Sequence, residues 1–210
     1  MPLRRGSCRL SELFPGQDMG PTKTINMPGG DVTRVLAIDP TPNGFGFAVM
    51  EGVDSLIDWG VRIAGQDDKN SRCLVLVSEL IEIYRPDYLI LEELRKGRSP
   101  RSQRVHELIE LIANRASERD VKVRRFAKSQ IRRTFSDSGR ATKEQIAART
   151  AERLPELRPR LPRHRFPWMS ENYSMAVFDA AALGLTYFSF KDRRRKDGLS
   201  AIGINSSNHV

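Results

Sequence analysis

The chain has 210 residues, 39% of them hydrophobic and 29% charged, which is enough apolar material for one core in about one domain. Its apolar runs stay short of the roughly 18 residues of a membrane span and its start, MPLRRGSCRLSELFPG, lacks the apolar segment of a secretory signal, so a cytoplasmic protein is expected. The net charge of +9 points to a polyanionic partner, while two distant cysteines (Cys8, Cys73) and three scattered histidines (His106, His164, His209) exclude a disulfide framework and a thiolate or histidine zinc site.

Residues 1–30 are rich in Gly, Pro, Ser and Thr with little periodicity and read as a flexible N-terminal arm, ahead of a domain over residues 31–190 and a basic flexible tail over 191–210. The domain opens on RVLAIDPTPNGFGFAVME, Arg34 to Glu51. Here the apolar run Val35 to Ile38 ends on Asp39, and Pro40, Pro42 and Asn43-Gly44 turn the chain into a second apolar run, which reads as a hairpin. A carboxylate ending a buried strand suits a hard cation such as Mg²⁺, or else it merely starts an Asp-Pro turn. A strand, an acid and a glycine-bearing hairpin occur both in the actin and sugar-kinase ATPases and in ribonuclease-H-like nucleases. The ATPase arrangement needs two such domains and a second phosphate loop, and neither the length nor the glycine pattern supplies them.

Ser55 to Ile63 reads as a third strand, completing a meander, and Asn70 to Tyr84 places Cys73, Leu74, Val77, Leu80, Ile81 and Tyr84 at helical spacing before Arg85-Pro86. Tyr88 to Leu91 is again an apolar run that stops on acid, at Glu92 and Glu93. Paired in parallel with the first strand through a helical crossover, it would set Glu92 at the same sheet edge as Asp39, with Glu93 on the opposite face as the second choice.

Charge then changes sign along the chain. Residues 34–93 carry 5 basic and 11 acidic side chains, and residues 95–165 carry 21 basic and 8 acidic ones. An acidic half able to hold cations thus precedes a basic half able to hold phosphates. In the basic half, Arg95, Lys96 and Arg98 lie in a glycine and proline loop that runs to Arg101. Gln103 to Glu118 is a helix whose stripe of Val105, Leu108, Ile109, Ile112 and Ala116 is either core or a subunit interface.

A short strand over Val121 to Val123, the segment Lys128 to Phe135, and a helix over Thr142 to Leu154 follow. Arg132, Arg133, Arg140 and Lys143 gather around that helix start, a reasonable place for phosphate contacts. Pro155 to Pro167 is a mobile proline and arginine loop facing nucleic acid. Asn172 to Phe190 is the last helix, nearly all apolar around Asp179, whose carboxylate needs a cation or a hydrogen-bonding partner there.

In order, AIDPTPNGFGFAV around Asp39, RPDYLILEE around Glu92 and FDAAALGL around Asp179 resemble the RuvC Holliday-junction resolvases of the ribonuclease-H-like superfamily, as does RRFAKSQIRRTFSDSGRATKEQIAARTAERL between the second and third. The resemblance covers residues 34–188. It implies an α/β ribonuclease-H-like fold, a mixed five-stranded sheet flanked by helices. It also implies phosphodiester hydrolysis with two Mg²⁺ ions, or Mn²⁺, held by Asp39, Glu92 and Asp179, with Arg132 and Lys143 contacting DNA or assisting the chemistry, and for Lys143 stabilisation of the phosphate's developing charge and a plain backbone contact are equal alternatives. Branched or duplex DNA is then the partner, a homodimer the assembly because a four-way junction needs two symmetric cuts, and neither a membrane nor a small-molecule cofactor is implied.

Two positions depart from the family pattern. Where it commonly has a second acid, three residues before Asp179, this chain has Ala176, with Glu171 the nearest upstream carboxylate; where it tends to have an aromatic wedge after the second acid, this chain has Leu94, Arg95 and Lys96. The alternative readings are a nuclease of this fold acting on another nucleic acid, such as an RNA precursor, and a nucleic-acid-binding protein that has lost catalysis.

Overall fold

A computed structural model of the chain describes residues 32–65, 68–94, 101–136, 138–161 and 174–203, with side chains of the last segment to residue 194. The expectations for the N-terminal arm, for Arg95, Lys96 and Arg98, and for Glu171 lie outside the described residues.

Three strands, β1 (Val35–Thr41), β2 (Gly44–Met50) and β3 (Leu56–Ile63), form the antiparallel meander. The helix α1 (Lys69–Tyr84) crosses over to β4 (Tyr88–Glu93), which pairs in parallel with β1. After α2 (Gln103–Ser117), strand β5 (Lys122–Ala127) pairs in parallel with β4 and completes a mixed five-stranded sheet of order β3-β2-β1-β4-β5. Then come α3 (Lys128–Phe135), α4 (Lys143–Arg153), a short 3-10 helix over Pro155–Arg160, and the long α5 (Ser174–Gly203).

The sheet is buried on both faces, which is why β1, β2 and β4 read as continuous apolar runs rather than alternating ones. One face, with Leu36, Ile38, Phe45, Phe47, Leu89 and Leu91, packs on α1 and α2. The other, with Val35, Ala37, Ala48, Met50 and Ile90, packs on α5, with α3 and α4 behind it. Each large side chain so buried stabilises the fold by about 1.5–3 kcal/mol.

The α2 stripe belongs to the first of these cores. Ile109 and Ile112 are buried against the chain's own sheet and α1, so the interface reading of that stripe is replaced by the core one. Three boundaries also differ from the sequence expectation. Strand β5 runs on to Ala127, because parallel pairing with β4 holds Arg124 and Arg125 in the ladder despite their charge. Pro155 begins a 3-10 turn that buries Leu157, so that part of the expected loop is ordered. Helix α5 continues past Phe190 through the run KDRRRKD, since Lys and Arg are good helix formers and neither Pro nor Gly interrupts the run. Among the described residues no helix is long and apolar enough to cross a membrane.

Helix α5 lies unusually close to the sheet. A Cβ added at Gly46 would stand 2.2 Å from the carbonyl oxygen of Ala176, and one at Gly184 would stand 2.5 Å from Sδ of Met50. Small residues at Ala176, Ala180 and Gly184 recur every four positions and form the face that permits this approach. That contact sets the height at which Asp179 meets the sheet.

Candidate active site

Asp39 sits on the α5 face of β1, two residues beyond Ala37 and opposite Gly46 of β2. Because β4 runs parallel to β1 with Ala37 beside Ile90, two further residues in step bring Glu92 alongside Asp39. Asp179 comes down onto the same spot from α5. Lys143 arrives from the opposite wall at the first turn of α4. There Thr142 Oγ1 accepts from the Gln145 N–H at 3.3 Å while Gln145 Oε1 accepts from the Thr142 N–H at 2.9 Å, a reciprocal cap that fixes the helix start.

These groups line one pocket of about 420 Å³, together with Glu93, Leu94, Arg101, Lys128 and Arg132. Their charges are paired in a specific way. One nitrogen of Arg101, Nη2, donates to Asp39 Oδ1 at 2.6 Å and to Glu92 Oε2 at 2.9 Å, while its Nη1 donates to the Pro40 carbonyl. Lys143 Nζ stands 2.8 Å from Asp179 Oδ2. A cation in the first turn of a helix opposes the helix dipole. The Asp179 carboxylate offsets that cost.

Burial and charge act against each other in the pocket. The Asp179 carboxyl is pushed up to about 7 by burial, with the Asp39 charge adding to the rise and Lys143 opposing it. The Asp39 carboxyl is also raised, mainly by burial; Arg101 opposes this and Glu92 adds to it. Burial works against the Arg101 charge, but Asp39 and Glu92 more than reverse that and hold the guanidinium protonated. Burial alone does not make a site. Asp58, equally sunk in the core, is satisfied by the Tyr84 hydroxyl and the Trp59 N–H.

The donor set is all carboxylate oxygen, the type that hard divalent cations take, and so it fits Mg²⁺ or Mn²⁺ in kind. Among the described residues, however, no three acidic, histidine or cysteine groups stand together at metal-ligand spacing. Asp39 and Glu92 are drawn to Arg101, and Asp179 is drawn to Lys143, so the expected carboxylate triad is divided between two protein cations.

Of the remaining residues singled out in the sequence, Arg132 lines the pocket mouth and is exposed. Arg133 and Arg140 are exposed but stand outside the pocket lining. Glu93 is exposed at the rim while Glu92 turns inward. Sequence reading passed over Arg101 and Lys128. Two neighbouring buried carboxylates require a cation, but that Arg101 supplies it follows only from the pairing of β1 with β4.

A model of the family described as crossover junction endodeoxyribonuclease RuvC matches residues 35–160. No curated protein matches the chain. Among solved structures, RuvC of Thermus thermophilus superposes with a TM-score of 0.57 at 22% identity, covering 77% of this chain and 96% of that one. The T. thermophilus RuvC in complex with a Holliday junction substrate gives 0.56 at 21% identity, covering 73% and 92%. The yeast mitochondrial Holliday junction resolvase gives 0.51 at 14%, covering 77% and 80%. At these identities the solved structures share the ribonuclease-H-like fold. The family model spans more than half of the chain and both β4 and the pocket's first two acids, and on that match this chain belongs to the RuvC family of crossover junction endodeoxyribonucleases, structure-selective nucleases acting on Holliday junctions.

Proposed function

We propose that the pocket is where this chain hydrolyses DNA phosphodiester bonds at four-way junctions, with Asp39, Glu92 and Asp179 as ligands of divalent cations. The observation that carries the reading is the meeting, in one pocket, of three carboxylates more than fifty residues apart in sequence with Lys143 beside them. Bound there, Mg²⁺ or Mn²⁺ would activate water and stabilise the leaving oxygen, and two ions suit an in-line displacement.

The chain's own residues do the rest. Lys143, held by the capped start of α4, places positive charge where a phosphate gains negative charge. Arg132 and Lys128 at the mouth contact backbone phosphates, and the exposed Arg133 and Arg140 add to the basic charge nearby. A homodimer matches the twofold symmetry of a four-way junction and would supply paired cuts.

Ala176, in place of a fourth acid, favours a second reading in which the chain binds junctions without cutting them. Incubating the protein and Mg²⁺ with a four-way junction, a linear duplex and a structured RNA of equal length decides. Symmetric nicks in the junction alone are the expected result. Binding without cleavage in either Mg²⁺ or Mn²⁺ would establish the second reading.

A further inference from the structure

Arg101 has no assigned part in the chemistry, yet its guanidinium donates to three acceptors in the pocket. A single nitrogen lies between Asp39 Oδ1, at 2.6 Å, and Glu92 Oε2, at 2.9 Å, and the neighbouring nitrogen is tied to the Pro40 carbonyl. A magnesium ion holds carboxylate oxygens at about 2.0–2.1 Å, so an ion held by these same two oxygens would stand where the Arg101 nitrogen stands. We propose that Arg101 is a built-in competitor for the divalent cation, holding Asp39 and Glu92 in place while no metal is bound and giving up both when one enters.

The proposal rests on the reading of Asp39 and Glu92 as metal ligands. Three features support it. The pair of carboxylates is almost removed from water, with side-chain exposures of 5% and 14%, so without a cation their mutual repulsion would spread β1 and β4. The Arg101 side chain is 26% exposed, which leaves it a route out towards solvent. Its neighbour Arg104 is spent elsewhere, donating to Asn70 Oδ1 at 2.7 Å and to the Thr41 carbonyl at 2.6 Å, so only Arg101 of the two touches the acids. A guanidinium displaced from carboxylates inside a nuclease pocket finds its natural partner in a phosphate, which it can hold with two parallel hydrogen bonds.

The test is calorimetric titration of Mn²⁺ into the DNA-free full chain at pH 8. Arg101→Ala is expected to bind the ion at least about tenfold more tightly than wild type, because the ion no longer has to break hydrogen bonds between charged groups. Arg104→Ala removes the same charge nearby without touching the carboxylates and is expected to stay within about twofold, which separates displacement from a general change in potential. In EDTA, Arg101→Ala should melt below wild type and gain more than wild type from saturating Mn²⁺. If the alanine variant does not fold, Arg101→Gln, which keeps an N–H donor without the charge, carries the same comparison. Unchanged or weaker Mn²⁺ binding in these variants, with Asp39→Asn abolishing it, overturns the competitor role and leaves the metal reading standing. Wild-type-like Mn²⁺ binding in both Asp39→Asn and Glu92→Gln overturns both.

Discussion

Gly46 and Ala176 are in backbone contact: the first turn of α5 rests on β2 at the residue paired with Asp39, and a Cβ on Gly46 would come 2.2 Å from the Ala176 carbonyl oxygen. The obstacle is backbone rather than a flexible side chain, so Gly46→Ala must push α5 off the sheet. Overpacking of this kind costs about 1–3 kcal/mol. Because Asp179 lies one turn further along α5, the displacement moves it away from Asp39, and a fall in cleavage larger than the loss of melting stability would explain is expected. A variant that melts and cuts like wild type would show that α5 can slide without consequence.

Asp39→Asn, Glu92→Gln and Asp179→Asn keep the shape of each side chain and remove the charge that a cation needs. Cleavage should fall at least about a hundredfold in each, while junction binding in gel shifts stays within a few-fold. The fold should persist, since in each case Arg101 or Lys143 keeps an oxygen to which it can donate. Any of the three that cuts at near wild-type rate in Mg²⁺ is not a ligand.

Asp179 also gives a pH signature. Its carboxyl is pushed up to about 7 by burial, and the Asp39 charge adds to the rise. An unfolded-chain aspartate titrates near 3.9, so between about pH 4 and pH 7 the native state holds more protons than the unfolded one. Stability from this group is therefore greatest at low pH and is lost as pH rises through about 7. Melting curves in EDTA at pH 5 and pH 8 should show Asp179→Asn gaining on wild type as pH rises. Parallel behaviour of the two proteins would mean that Asp179 titrates as an ordinary surface acid.

For the basic rim, Arg132→Ala and Lys143→Ala should each weaken junction binding and lower the slope of log affinity against log salt by roughly 1. The loss should be alike for all DNA sequences, because phosphate contacts carry no base information. An unchanged slope for Arg132 would make it a solvated side chain of α3.

The parts of this site visible in sequence are those set by short-range pattern. The apolar run ending on Asp39, the crossover that fixes β4 beside β1, and the acid in an apolar helix each follow from local periodicity. Arg101 did not, because its meaning comes from a charge balance between β1 and β4 that no window of the sequence contains. The C-terminal limit of α5 is hidden for a related reason: a run of charge resembles a tail, although Lys and Arg propagate a helix that its apolar half has already nucleated. The extent of β5 is hidden because Arg124 and Arg125 break the apolar pattern, while the hydrogen bonds to β4 hold the strand regardless.

The α2 stripe separates packing from assembly. Ile109 and Ile112 are 2% and 0% exposed within a single chain, packed with Val105, Leu108 and Ala116 against α1 and the sheet. An aspartate at either position would place an unpaired carboxylate among aliphatic side chains, and it would also leave a cavity where the isoleucine was. Few substitutions destabilise more, and a loss on the order of 4–5 kcal/mol is comparable to the whole stability of many domains. Ile109→Asp and Ile112→Asp are therefore expected to unfold the chain rather than to yield a folded monomer. Leu111, on the exposed side of the same helix, should accept aspartate with little change in melting temperature. Sedimentation and a melting curve on all three variants check this. A soluble, cooperatively melting monomer from Ile109→Asp would return the stripe to a subunit interface, whereas unfolding of both buried variants with an intact Leu111→Asp would put any twofold contact on another surface of the chain.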